Sequence, residues 1–214
     1  MRSKDFAGSP GRMNRREFLK LSGAGIACAA LLGVIGSGPV FAQEEGSPYS
    51  SLMAEFKEAA KEYDVPVSLL LAMGYVNTRW EMPPPEASAH EPGSPHGKGA
   101  YGIMQLVRND DEDTLGDASR LTGIPEGQLK TDRKSNILGG AALLADAQGD
   151  RPIRLGDYFG SVSGRGKRRL FKAVAGLGAG ELYAEQVFDV LKKGSYEKLL
   201  DGEEVVLPSQ EGAI

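Results

Sequence analysis

A mainly α, single-domain fold is predicted for this 214-residue chain by three observations. Apolar residues recur at helical spacing in one stretch after another between residues 50 and 193. Proline and glycine punctuate those stretches where helices would end. No run in the same region gives a convincing core strand, and no internal repeat is present, so about seven helices packed on one another are expected. The domain is placed at residues 49–194, with 43–48 as a linker and 195–214 as a tail or linker.

The first helix is read from Ser50, a candidate N-cap, through SLMAEFKEAAKEY, where Leu52, Phe56, Ala59, Ala60 and Tyr63 share one face. Asp64-Val65-Pro66 ends it. Ser68 restarts the chain into Leu69–Trp80, LLLAMGYVNTRW, which is apolar on nearly every side until Asn77 and is read as the central, buried helix. Pro83-Pro84-Pro85 stops it. Met82 to Lys98 is then a long Pro/Gly-rich loop holding both histidines, His90 and His96, and a loop of that length inside a compact domain is usually functional or disordered. Order returns in the glycine-punctuated turn Gly99–Leu106, GAYGIMQL.

Asp110 to Asp113 reads as a solvated loop or helix start. Thr114–Thr122 and Pro125–Leu129 form short helices around Gly123, and Thr131-Asp132 caps a longer one over Lys134–Ala147 with a core stripe of Ile137, Leu138, Ala141, Leu144 and Ala145. Gly139 and Gly140 inside it cost about 1 kcal/mol each relative to alanine, which implies close approach of another backbone. Leu155–Val162, Lys167–Leu177 and Glu181–Lys192 complete the helices, the last stopped by Gly194; Glu203–Pro208 is a short strand or a linker end.

The N-terminal segment differs in kind. Arg15-Arg16, then Phe18-Leu19-Lys20, a Gly/Ala-rich apolar run from Leu21 to Ile35, and Val40-Phe41-Ala42 describe a twin-arginine signal peptide over residues 1–42. Ser22, Gly23, Gly25 and Gly33 interrupt the run, which falls short of the ~20 strongly apolar residues of a membrane anchor. Met13 is an alternative start to Met1, and Cys28 lacks the bulky aliphatic residue upstream that lipidation requires. The expected location is extracytoplasmic, wall-associated or secreted, with the membrane a partner only during export and the mature chain starting near Gln43.

Composition narrows the functional classes. One cysteine excludes an intrachain disulfide and a cysteine-based zinc site, and no metal or other cofactor is expected. The whole chain carries −4, but residues 1–42 hold six of its 25 basic and two of its 29 acidic side chains, so the remainder stands at 19 against 27, or −8. An acidic domain of this kind is a poor partner for nucleic acid.

Leu69–Trp80 and Gly99–Leu106 are segments of the sort that line a cleft, and together with their neighbours they resemble the lysozyme-like domain of lytic transglycosylases and goose-type lysozymes. Four pieces match in order over about residues 51–147. Phe56–Tyr63 with Asp64-Val65-Pro66 resembles the opening helix and proline turn. Leu69–Trp80 resembles the helix ending in Glu-Ser-x-aromatic, Gly99–Leu106 the Gly-Leu-Met-Gln motif, and Asp132–Leu144, through Asn136, Ile137 and Gly140, the Asp, Asn-Ile, Gly, Leu helix. Tyr158–Ser163 is only loosely similar to the family's tyrosine-bearing segment. TRWE and FDVLKKG look most similar to the lysozyme-like domains that precede zinc amidase domains in some actinobacterial wall-degrading proteins; two histidines and one cysteine are too few for that amidase's metal site.

The resemblance implies a lysozyme-like fold with the long loop beside its cleft, peptidoglycan as ligand, and glycosidic cleavage by a glutamate that acts as acid and then base. Here Asn77 occupies the glutamate's position and Thr78 that of the following serine. An amide cannot deliver a proton, and loss of general acid/base catalysis costs about 10²- to 10⁴-fold in rate. Glu81, one turn on, is the nearest substitute acid, ahead of Glu86 and Glu91. Thr78, Tyr101, Gly102, Met104 and Gln105 are carried over as substrate-binding positions, with Tyr101 and Trp80 as alternatives between sugar stacking and core packing. The basic cluster Arg165, Lys167, Arg168 and Arg169 reads as a solvated helix start or a contact for wall anions.

The expectation is thus an exported, peptidoglycan-binding pseudoenzyme, with a separate wall hydrolase as a further partner. Its alternatives are an active muramidase or lytic transglycosylase with a relocated acid such as Glu81, and a remnant of an N-acetylmuramoyl-L-alanine amidase.

Overall fold

The computed structural model describes residues 51–89, 99–149, 154–155, 165–178 and 180–210, all within one compact unit, Glu44–Ile214. The signal segment and linker, His90, Glu91, His96 and Tyr158–Ser163 lie outside the described residues, as does Leu155–Val162 beyond its first residue. The chain is mainly α. In order it forms α1 (Ser51–Tyr63), α2 (Val67–Thr78), α3 (Pro85–Ser88), β1 (Ala100–Tyr101), β2 (Leu106–Val107), α4 (Thr114–Thr122), α5 (Glu126–Thr131), α6 (Arg133–Gln148), α7 (Arg165–Ala175), α8 (Glu181–Lys193), β3 (Ser195–Lys198) and β4 (Glu204–Leu207).

The helix that touches most others is α6, against the expectation that Leu69–Trp80 would be central. Both are buried, but α6 is made thin by Gly139, Gly140, Ala141 and Ala142, so α1, α4, α5 and α7 all pack on it. What comes close at its glycines is side chain, not backbone. A methyl group on Gly139 would stand 2.9 Å from Leu106 Cδ1, and one on Gly140 would stand 2.6 Å from Met104 Cγ. The core stripe holds at Ile137, Ala141 and Leu144, while Leu138 and Ala145 are half-buried. Asp132 caps α6, its carboxylate accepting from the Ser135 N–H at 2.8 Å.

The helix α2 packs on α8 and α1 and buries every residue from Leu69 to Gly74. Asp113, in the acidic run, caps α4 by accepting from the Gly116 N–H and pairs with Arg108 at 2.8 Å.

The segment after Gly194 is no tail. β3 and β4 pair antiparallel, with Tyr196 opposite Val206 and Lys198 opposite Glu204, and Leu199, Val205 and Leu207 enter the core. The domain therefore continues past residue 194 to about residue 207 and beyond. Gly194 has φ +78°, and a side chain there would meet Leu207 O and Ser209 N at 2.7 Å, so the helix breaks where the hairpin folds back over it. The Ser209 hydroxyl then donates to Lys192 O and the Gln210 N–H to Leu191 O, satisfying carbonyls at the end of α8.

The hairpin is also latched to the starts of α1 and α6. Arg133, at the start of α6, donates to both carboxylate oxygens of Glu55 at 2.9 and 3.0 Å and to Glu203 at 3.1 Å. Glu203 in turn accepts the Leu52 N–H at 2.5 Å, serving as an acceptor for the first turn of α1 from 151 residues away. Burial pushes the Arg133 guanidinium down, but the hydrogen bonds and charges of Glu55 and Glu203 outweigh it and hold the group above its ordinary value.

Candidate functional site

Two segments meet at Gly74. A methyl group there would stand 3.0 Å from Ile103 Cγ2 in the β1–β2 turn, 3.0 Å from Phe56 Cζ and 3.1 Å from Trp80 Cδ1, so glycine lets the turn lie directly on α2. Asn77 and Thr78 follow within one helical turn. The two stretches singled out from sequence are thus neighbours.

The end of α2 is tightly built. Arg79 and Trp80 both take left-handed backbone, φ +52° and +64°, an uncommon conformation for non-glycine residues and a costly one for a bulky side chain. Offsetting that cost, the Trp80 indole is 1% exposed, its Nε1–H donates to Leu71 O at 2.7 Å, and its ring lies 4.9 Å from that of Tyr75. The Arg79 N–H bonds Tyr75 O at 2.8 Å and the Trp80 N–H bonds Gly74 O at 3.3 Å, closing the last turn. Trp80 is therefore core and offers no stacking face.

The facing turn is organised by Asn136, which is fully buried on α6. Its Nδ2 donates to Tyr101 O at 3.0 Å and Leu129 O at 2.9 Å, and its Oδ1 accepts from the Met104 N–H at 2.8 Å. Gly102 lies over this amide with φ +71°, where any Cβ would fall 2.3 Å from the Asn136 side chain. Glycine is demanded twice there, by conformation and by space. Gln105 also has positive φ, +51°, and its Nε2 donates to Gly102 O at 2.9 Å.

The residues expected to bind substrate thus divide. Tyr101, Gly102 and Met104 are buried and build the turn; Lys130 Nζ sits 4.5 Å above the Tyr101 ring, which occupies that face with a cation–π contact. Gln105 is half-buried. Asn77 and Thr78 are half-buried and, with Arg79 and with Gln186 and Val190 of α8, line an open depression of about 380 Å³ between α2 and α8. Asn77 lies close enough to the hydroxyl of Tyr183 on α8 to favour its ionised form. Burial drives the Tyr183 phenol well above its usual range and the Asn77 amide pulls only partly against it, so Tyr183 keeps its proton at ordinary pH.

Glu81 is otherwise engaged. Its carboxylate accepts the Leu200 N–H at 2.8 Å, bracing the β3–β4 turn. Glu86 is exposed on the short α3. Of the basic cluster, Arg168 and Arg169 are exposed, and Arg169 donates to Gln148 O at 2.9 Å, capping α6; the side chains of Arg165 and Lys167 lie outside the described residues.

Tyr183 and Gln186 were missed as site residues. Their i, i+3 spacing on α8 puts them on one face, but a tyrosine on an amphipathic helix gives no signal of which amide it meets. Asn136 was marked in the sequence only by the resemblance of Asp132–Leu144 to the family's helix, without a role.

Fold and site together define the class as a mainly helical domain with an open depression of mixed apolar and polar lining at the end of a buried helix. No family model matches the chain, and a comparison with curated proteins finds no match.

Proposed function

We propose that this chain is an exported wall protein whose lysozyme-like, lytic-transglycosylase-type domain binds peptidoglycan glycan strands without cutting them. The observation that carries the reading is Asn77: at the end of the buried helix, near the buried Tyr183, an amide stands where the related chemistry requires an acid. Neither partner in that pair can protonate a glycosidic oxygen at ordinary pH. The concentration of strain supports a functional site as well. Of the four non-glycine residues with positive φ among the described residues, Arg79, Trp80 and Gln105 fall in these two segments and only Asp64 lies elsewhere. Export rests on the twin-arginine segment, and a separate wall hydrolase would supply the cleavage that this domain lacks.

The test is incubation of the purified protein with purified sacculi. Co-sedimentation without release of muropeptides is expected. Asn77→Glu should create release from a silent parent, since the introduced carboxyl would sit half-buried against the Tyr183 hydroxyl. Muropeptide release by the unaltered protein, lost in Glu81→Gln, would overturn the pseudoenzyme reading in favour of a relocated acid.

A further inference from the structure

Arg79 stands out on this acidic domain. Its backbone is fixed in the left-handed region by two helix-closing hydrogen bonds, its own and that of Trp80, yet its side chain is 73% exposed. The nearest carboxylate among the described residues, Glu197 on β3, is 3.9 Å from its Nη1, beyond hydrogen-bond reach. A rigid base thus carries a guanidinium that is ion-paired with Glu197 but not hydrogen-bonded to it, on the wall of an open depression where Asn77, Thr78 and Gln186 stand among Tyr75, Val76 and Val190. Amides and hydroxyls suit the N-acetyl and hydroxyl groups of a saccharide and the backbone of a peptide, both neutral hydrogen-bonding partners. A planar guanidinium beside them suits one thing more, a carboxylate taken by two parallel N–H bonds.

Resting on the glycan-binding reading above, we infer that the depression between α2 and α8 is a subsite for a peptide-bearing saccharide unit, in which Arg79 pairs with a carboxylate of the stem peptide. Glu197 keeps Arg79 in place when the subsite is empty and competes with the ligand for it. The domain's net negative charge works against anionic ligands in general, so affinity for a carboxylate depends on this local contact.

The experiment measures binding of the purified protein, Arg79→Gln, Arg79→Lys and Glu197→Gln to two preparations: sacculi freed of accessory wall polymers, and the same glycan after enzymatic removal of its stem peptides. Arg79→Gln should weaken binding to peptide-bearing sacculi roughly five- to tenfold and leave binding to stripped glycan unchanged. Arg79→Lys should recover part of the loss, because it keeps the charge without the fork. Glu197→Gln should tighten binding to peptide-bearing sacculi alone. Equal binding of Arg79→Gln and the parent to both preparations would overturn the subsite while leaving glycan binding intact. An equal loss on both, with a lowered Tm, would overturn it by making Arg79 merely structural. Failure of the parent to bind either preparation would overturn the glycan reading and this inference with it.

Discussion

Replacing Asn136 by alanine would strip three buried backbone groups of their partner at once: the Met104 N–H and the carbonyls of Tyr101 and Leu129. A buried group left unsatisfied costs about 1–3 kcal/mol, so Asn136→Ala is expected to lower stability by about 3 kcal/mol or more, read by chemical denaturation. A loss below about 1 kcal/mol would mean the turn holds its shape without this amide. Glu81 separates structure from chemistry in the same way. Glu81→Gln keeps a carbonyl oxygen for the Leu200 N–H, so its Tm should match the parent, whereas Glu81→Ala should lose a few tenths of a kcal/mol at this exposed contact. The positions of Asn77 and Asn136 were legible from residue order. Their partners were not, because Tyr183 lies 106 residues from Asn77, and a side-chain amide says only that a partner is needed, not which.

At the scale of the element, periodicity located the helices well because burial is one-sided in α1, α4 and α8, each of which combines an apolar face with a charged one. It found α6 and most of its core stripe, but ranked α2 as central because its apolar residues, Leu69–Leu71, Met73, Tyr75 and Val76, cover nearly every side. Of the small residues that let four helices reach α6, Gly139 and Gly140 signalled a close approach in the sequence, but not that side chains from several helices would make it. The cap of α6 carries a pH dependence that can be measured. Hydrogen bonds from the Ser135 side chain and N–H hold the Asp132 carboxyl below its ordinary value of 3.8, so the folded state favours the ionised form. That stabilisation is present in full above the unfolded-state value and is lost as pH falls through the lower folded-state one. Asp132→Ala should cost about 1 kcal/mol at neutral pH. Asp132→Asn keeps an acceptor for the Ser135 N–H, so its neutral-pH stability should stay near the parent's while its Tm declines less steeply below pH 3.8. Identical acid limbs for Asn and Asp would show that the cap is not the titrating element.

For the molecule as a whole, the boundary of the fold is the strongest correction to the sequence reading. Glu203–Pro208 was readable as a short strand or a linker end, but Ser195–Lys198 gave no strand signal to pair with it, and Glu203, the residue that fastens the hairpin, looks like any surface acid until Arg133 and Leu52 are brought beside it. Magnitudes indicate what removing the hairpin would do. Leu199, Val205 and Leu207 are each nearly fully buried, and at about 1.5–3 kcal/mol apiece they contribute about 4–9 kcal/mol of burial. A whole domain holds only about 5–15 kcal/mol of net stability. Removal would also leave the Leu52 N–H without its Glu203 acceptor, reduce Arg133 to its bonds with Glu55 and the Ser51 hydroxyl, and uncover the carbonyls at the end of α8. A chain ending at Gly194 should therefore fail to show a cooperative thermal transition. The single substitution Arg133→Met tests the latch apart from the burial. It leaves the partly buried Glu55 and Glu203 carboxylates facing one another without a cation, and should cost about 3 kcal/mol or more. Adding Glu203→Gln to it should recover part of that loss by removing one of the two charges, although Glu203→Gln alone is destabilising. Because the hairpin fastens to the starts of α1 and α6, truncation should abolish sacculus binding along with the fold, whereas Arg133→Met, at temperatures where the protein stays folded, should leave binding no weaker than the parent's, since loosening the hairpin can only free Arg79 from Glu197.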